Sequence, residues 1–461
     1  MIQEKPMTTP DKYRELAWQI MRAALGAVEP GAAVRQHLQL VAGRLVASGE
    51  RTYALDRFDR VLVVGAGKAG APMAAAAAGI LGERLSGGVV VVKHGHTLDD
   101  PSALGPIEIV EAGHPIPDRA GLDGARRIAD LLRDATERDL VVCLISGGGS
   151  ALMTLPVYGI SLADSQALTQ ILLGCGATIN EVNAVRKHIS RLKGGQLARL
   201  ASPATVASLI LSDVVGDPLD VIASGPTVPD PTTFGDAWEV LTRYGVVDGA
   251  PASIVGHLTA GLHGVVPDTP KPGDPLFGRV HNVVVGSNRL AAQAAAAEAR
   301  RLGFATAVLT TFLEGEAREV GKVIAGLAKG LAGGEATYLA RPACLIAGGE
   351  TTVTLGGNGQ GGRNQEMALA AALALNGWGG VLIACLATDG TDGPTDAAGA
   401  FADGTTVARA AELGLDARLF LAGHDSYRFF RQVGDLIVTG PTRTNVNDLI
   451  LAFVADHDAH V

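Results

Sequence analysis

The chain has 461 residues, 47% hydrophobic and 18% charged, with a formal net charge of −9. Its length suits two or three domains with ample core, and its composition excludes a disordered chain. The acidic balance argues against a nucleic-acid groove, which needs a dense basic face.

In chain order, the first residues are polar and lead into a helical stripe of Leu16, Ile20, Ala24 and Ala27, unlike a signal peptide. No apolar run reaches the ~18 residues of a membrane span, so a soluble cytoplasmic protein is expected. Arg60–Val64 is predicted as a buried strand and Ala69–Leu81 as the helix after it. Strands follow at Gly88–Val92, Glu108–Val110 and Leu140–Ile145, with a helix over Arg119–Leu132. Such alternation implies a parallel sheet covered on both faces. Helices are predicted at Leu162–Leu173 and Ile179–Arg191, and a strand at Val206–Leu211. One further helix, near Ala237–Tyr244, lies in a stretch punctuated by glycine and proline.

The stretch VPDTPKPGDP, Val266–Pro275, is the best linker candidate. A second alternation then begins: strand Asn282–Val285, helix Leu290–Leu302, strand Thr306–Leu309 and helix Glu316–Leu331. Strands at Ala343–Ala347 and Thr352–Leu355 precede helix Asn364–Leu375 and strand Val381–Ala387. A helix at Thr405–Leu413 and strands near Asp435–Val438 and Leu449–Phe453 close the pattern. The expected fold is therefore two α/β domains with a cleft between them, divided as 1–265, a linker 266–279, and 280–461. The cysteines Cys143, Cys175, Cys344 and Cys385 form no C-x-x-C pair, and three lie in apolar runs, so buried reduced thiols are expected.

Glycine loops at strand ends carry the chemistry. Gly65-Ala66-Gly67-Lys68-Ala69-Gly70 fits the dinucleotide pattern G-x-G-x-x-G. Such a unit normally shows an acidic residue about 20 positions on, to hold the ribose hydroxyls. Here the second strand runs into Lys93, His94 and His96 instead, which weakens NADP less than NAD. Lys68, at a helix start where backbone N–H groups already favour anions, suits a developing phosphoryl charge. Ser146-Gly147-Gly148-Gly149-Ser150 is a nest-like loop for an anion, neither a Walker A loop nor a nucleophile elbow.

The run Asn183–Gln196 places Lys187 and Lys193 near these loops, and Asp213 ends a strand with Asp217 beyond it. Later come Gly286-Ser287-Asn288-Arg289, Gly348-Gly349-Glu350, and GGNGQGGRNQE with Arg363 ahead of a helix as a planar fork. Asp389, Asp392 and Asp396 follow a strand; carboxylates so spaced hold Mg²⁺ or act on a hydroxyl, although Asp396 is better taken as a loop cap. His94, His96, His114 and His188 lack metal-like spacing. Glycine loops, lysine and arginine from both halves, and strand-end aspartates are the parts of phosphoryl transfer.

These residues resemble the two-domain glycerate 2-kinases with a MOFRL-type C-terminal domain, a family also labelled hydroxypyruvate reductase. The motifs VGAGKA, SGGGSAL, VNAVRKHIS, LKGGQLA, SDVVGDPLD, GGETTVTL, GGRNQE, ATDGTDGPTDAAGA and GPTRTNVNDL stand in that order across nearly the whole chain. The resemblance implies a doubly wound, Rossmann-like N-terminal domain and a smaller α/β domain. It also implies ATP, Mg²⁺ and transfer of the γ-phosphate to the 2-hydroxyl of (R)-glycerate. It places Lys68 and Arg363 in the active site.

Beside that carry-over, Gly65, Gly67, Ser146–Ser150 and Lys193 are expected around phosphate. Asp213 is expected as a catalytic group, Asp389 and Asp392 on metal, and Asn288, Arg289 and Glu350 near the substrate. Partners are expected to be glycerate and ATP, with no nucleic acid and no membrane; a homodimer stays open. The alternatives are an NADPH-dependent hydroxypyruvate reductase and a non-catalytic sensor of sugar acids.

Overall fold

The structure, a computed structural model, describes residues 9–48, 51–336 and 338–456. Helices α1 (Thr9–Ala27) and α2 (Pro30–His37) precede a three-stranded antiparallel sheet of β1 (Leu38–Val41), β2 (Arg44–Ala47) and β3 (Arg51–Ala54). The main alternation follows: β4 (Arg60–Ala66), α3 (Gly70–Leu81), β5 (Leu85–Lys93), β6 (Ile107–Ala112), α4 (Arg119–Leu132) and β7 (Asp139–Ile145). Then come α5 (Gly149–Leu152), α6 (Leu162–Gly174), α7 (Ile179–His188), α8 (Gln196–Ala201), β8 (Thr205–Leu211), α9 (Phe234–Arg243), α10 (Ala252–Leu262) and β9 (Val280–Gly286).

The sheet order is β6-β5-β4-β7-β8-β9, parallel from β6 through β8. Strand β7 is buried along its whole length and β4 along all but its first residue. Continuous aliphatic runs are what a sheet covered on both faces demands. Arg60 anchors the start of β4 to Asp139 at the start of β7 through bonds of 2.8 and 2.7 Å. Strand order reverses between β4 and β7, and ligands of open α/β sheets bind at such a switch point, outside the carboxyl ends. The register sets Ala66 opposite Ile145, so the loops leaving these strands start side by side.

The later elements are α11 (Asn288–Arg301), β10 (Ala305–Leu313), α12 (Ala317–Ala332), β11 (Ala343–Gly349), α13 (Arg363–Leu375), β12 (Val381–Ala387) and β13 (Gly399–Asp403). They are followed by α14 (Thr406–Glu412), α15 (Ala417–Ala422), α16 (Ser426–Val433), β14 (Leu436–Ile437) and β15 (Asp448–Val454). Their sheet runs β10-β11-β15-β12-β13-β14, and only β10–β11 is parallel. The last strand, β15, is inserted antiparallel between β11 and β12, so the second alternation does not build a wholly parallel sheet.

Contacts divide the chain differently from the sequence expectation. One compact unit is Pro30–Val285; the other joins α1 to the chain after Val285. Helix α1 packs on α11, and Arg14 reaches Asp403 at 3.1 Å and Asp435 at 2.7 Å. Residues 266–279 are no free linker. Asp230 N–H donates to the Pro270 carbonyl at 2.8 Å and Arg199 to the Asp268 carbonyl at 3.0 Å, which fastens the stretch to the first unit.

Thr352–Leu355 is not a strand but carries one bridge, Thr352 to Glu316. Helix α7 ends at His188, three residues before the predicted end. The cysteines are all free; Cys143, Cys344 and Cys385 are buried, and burial pushes the Cys143 thiol up to about 12. Among the described residues no helix is long and apolar enough to cross a membrane.

Candidate active site

The loops after β4 and β7 are joined into one structure. Lys68 N–H donates to the Gly147 carbonyl at 2.8 Å, and Ser146 N–H to the Ala66 carbonyl at 3.1 Å. The buried Ser146 hydroxyl accepts the Ala69 N–H at 3.1 Å. At Gly67, with φ +146°, a Cβ would stand 2.0 Å from that hydroxyl oxygen; at Gly65 it would stand 2.1 Å from the Leu144 carbonyl. Gly149 is likewise pressed against the Ala66 carbonyl and Ala223. At Gly65, Gly67, Ser146 and Gly149 these contacts let the two loops close on each other.

Gly147 and Gly148 have a different use. A Cβ on Gly147 would lie 2.1 Å from Oδ2 of Asp213, and one on Gly148 would lie 2.8 Å from Cδ2 and 2.9 Å from Nε2 of His114, with Cε of Lys68 at 3.5 Å. Gly148 also needs a left-handed φ of +81°. Asp213, His114 and Lys68 therefore converge on two bare peptide units. Among the described residues no carboxylate pairs with the Lys68 ammonium. Burial, with Lys68, Lys93 and His96 nearby, pushes His114 down to about 4, so its imidazole is neutral at pH 7. His96 turns its Nδ1 to the Lys68 carbonyl oxygen at 3.0 Å, and burial lowers its pKa. A cation, a carboxylate and a neutral imidazole thus meet on one glycine loop, a setting in which backbone N–H groups and a lysine can hold an anion.

His114 was not singled out by sequence reasoning, which tested histidines only for metal spacing. The signal available was position: His114 follows β6, at the carboxyl end of a strand in the same sheet.

Ser150 faces Ser224 at 2.9 Å, and Ser224 donates to Asn183 at 2.9 Å. Ala223 and Ser224 hold left-handed φ values of +50° and +60°, a strained pair of the kind that clusters at functional sites. Lys187 is excluded as a ligand group: it is buried and paired with Asp230 at 3.2 Å. Lys193 is also buried, its ammonium donating to the Met153 carbonyl at 3.1 Å, and burial with the nearby Arg186 charge pushes it down to about 7.

In the second unit, Arg363 opens α13 but is no open fork. Its Nε and Nη2 clamp Asp448 at 2.6 and 3.0 Å, and its Nη1 binds Glu350 at 2.8 Å. Glu350 thus pairs with Arg363. Burial lifts Asp448 to about 6, still ionised at pH 7 against the guanidinium. Asp392, expected on metal, instead caps α13: its two oxygens accept the Asn364 and Gln365 N–H groups at 3.1 and 2.8 Å. Those N–H groups are the unpaired donors of a helix start, and a ligand role would strip them.

Asn288, expected on substrate, braces the segment before β15 by donating to the Val446 and Asp448 carbonyls, each at 2.8 Å. Arg289 is exposed at the start of α11. Asp389 accepts one backbone N–H, from Thr391, and stays partly exposed. Asp396 accepts the Tyr427 hydroxyl at 2.7 Å. Among the described residues no three of His, Cys, Asp and Glu form a metal-holding group. Mg²⁺ on a nucleotide needs only one or two carboxylates beside phosphate and water, so a single residue such as Asp213 meets that requirement.

Comparison with known proteins supplies the relationship. The family described as "Domain of unknown function (DUF4147)" matches residues 16–259, and the MOFRL family matches 343–448. A Pyrococcus horikoshii protein named glycerate 2-kinase is 43% identical over 96% of this chain and 97% of its own. An Agrobacterium vitis protein with a provisional hydroxypyruvate reductase name is 46% identical over 85% of this chain and 86% of its own. The crystal structure of a Thermotoga maritima glycerate kinase aligns with a TM-score of 0.86 at 41% identity, covering 97% of this chain and 100% of that one. With a doubly wound first unit, a MOFRL second unit and near-complete alignment to these relatives, the chain belongs to the two-domain glycerate 2-kinase family.

Proposed function

We propose that the protein transfers the γ-phosphate of ATP to the 2-hydroxyl of (R)-glycerate, giving 2-phosphoglycerate and ADP. The observation that carries this reading is the convergence of Lys68, His114 and Asp213 on the Gly147–Gly148 peptides at the sheet's switch point. Phosphoryl transfer needs little covalent help from the protein; it needs positioning and neutralisation of charge on the transferred group. Lys68 supplies a compact ammonium, and the glycine peptides supply N–H donors. Asp213 orients the acceptor hydroxyl and takes its proton as oxygen attacks phosphorus and the bond to ADP breaks. Neutral His114 shapes the site without repelling Lys68.

Within its own unit, Arg363 keeps N–H groups left over from Asp448 and Glu350, and Arg289 is exposed; both are donors suited to an oxyanion. Mg²⁺ held by Asp213 or Asp389 would supply charge neutralisation on the nucleotide phosphates. A cytoplasmic setting, where ATP is available and thiols stay reduced, suits the free cysteines.

The reductase reading rests on the glycine pattern Gly65–Gly70 and on Lys93 at the end of β5, where the missing carboxylate counts against NAD more than NADP, so the cofactor is decided by assay. Incubation with (R)-glycerate, ATP and Mg²⁺ should yield 2-phosphoglycerate by phosphorus NMR. Exclusive formation of 3-phosphoglycerate, or enzyme-like NADPH oxidation by hydroxypyruvate, would overturn the proposal.

A further inference from the structure

A cavity of about 40 Å³ in the first unit is lined by Pro115, Ser150, Ser165, Arg186 and Lys193 among others. Arg186 and Lys193 are the charged groups in its wall, and neither has a carboxylate partner among the described residues. Lys193 spends one hydrogen bond on the Met153 carbonyl, leaving two N–H donors. The buried Ser165 hydroxyl has no hydrogen-bond partner among the described residues. Burying two like charges and an unpaired hydroxyl together costs stability unless something of opposite charge relieves it. The depressed Lys193, held near 7 by burial and by Arg186, reports that strain.

Size narrows the class of ligand. At about 10–15 Å³ per water, the cavity takes roughly three waters or one carboxylate, and not a nucleoside. Position narrows it further. Ser150 follows the loop that carries Gly147 and Gly148, and Pro115 follows His114, so two walls of the cavity are continuous with the Lys68 cluster.

We propose that this cavity is the carboxylate subsite of the acceptor acid, with Arg186 and Lys193 binding its two oxygens and the Ser150 and Ser165 hydroxyls completing the shell. The proposal rests on the kinase reading and deepens it. The 2-hydroxyl sits on the carbon next to the carboxylate and the 3-hydroxyl one carbon further. Anchoring the carboxylate here presents C2 to the phosphoryl group, which gives a physical reason for the regiochemistry.

The test is steady-state kinetics of Arg186→Gln, Arg186→Lys and Ser165→Ala, with calorimetric binding of (R)-glycerate, inorganic phosphate and ATP measured separately. Arg186→Gln should raise KM for glycerate roughly 10- to 100-fold, as expected for losing a charge-assisted hydrogen bond, while ATP affinity stays within about twofold. Arg186→Lys should recover part of that loss, and the milder Ser165→Ala, which keeps the packing, should raise KM several-fold. If the wild type makes 2-phosphoglycerate but both KM values stay unchanged, the subsite is wrong and the kinase reading stands. If phosphate binding is lost while glycerate binding is kept, the cavity holds a phosphate and the proposal fails. If the wild type transfers nothing to glycerate yet binds it, and Arg186→Gln abolishes that binding, the subsite stands and the kinase reading falls.

Discussion

Lys68 shows how a single residue changes the meaning of a motif. Its loop matches a dinucleotide fingerprint, yet its side chain reaches Gly148, and its backbone is tied to the second glycine loop. A charge that stabilises the transferring phosphoryl group acts more in the transition state than in the ground state. Lys68→Ala should therefore lower kcat about 10²- to 10³-fold, with KM for glycerate nearly unchanged. Lys68→Arg should rescue little, because a planar fork cannot stand in for a compact ammonium in this turn. A folded Lys68→Ala protein with near-normal kcat would reduce the lysine to a surface charge at a helix start. The chain's letters pointed to Lys68 because a cation in a glycine turn is chemically odd on its face. They were silent on His114, whose role depends on which strand end it meets in space.

At the scale of elements, α13 separates the two aspartates of the acidic loop after β12. Asp389 and Asp392 look alike in sequence, but only Asp392 turns back onto the α13 N-terminus, where it accepts two backbone N–H groups and the Gln365 side-chain amide at 3.0 Å. Capping across 28 residues leaves no local pattern of the Ser-x-x-Glu kind. By contrast, the Thr178–Glu181 box at the start of α7 is local and places that boundary directly. Asp392→Ala should lower stability by roughly 2–3 kcal/mol, the sum of lost caps and stranded donors. The measurement is the urea midpoint, read beside the Mg²⁺ dependence of KM for ATP. A metal ligand would shift the Mg²⁺ dependence; a cap shifts the midpoint and leaves that dependence alone.

At the scale of the whole molecule, the first sheet was legible because each of its strands is a continuous aliphatic run closed by glycine. The second sheet was less so: β13 (Gly399–Asp403) is short and small-residue, and β15 enters between β11 and β12 from the far end of the chain. Helix α1 groups with the unit after Val285 through contacts that no local composition shift announces.

Charge burial works at this scale too, and Lys193 makes it measurable. Its folded pKa, about 7, lies below its unfolded value near 10.4. Between those two values the unfolded chain holds a proton that the folded one releases, so stability rises with pH across that window. Below pH 7 the folded protein carries a buried ammonium beside Arg186, the other charged group in the cavity wall, at a cost on the order of a few kcal/mol. Lys193→Met should thus raise apoprotein stability at pH 6 and flatten the rise between pH 7 and 10. Added (R)-glycerate should stabilise the wild type more at pH 6 than at pH 9, because the anion binds the protonated lysine, and should barely stabilise the Met variant. Chemical denaturation at pH 6, 7.5 and 9, with and without glycerate, gives all three slopes; a wild-type profile flat in pH and indifferent to glycerate would show that Lys193 holds its proton without any help from an anion.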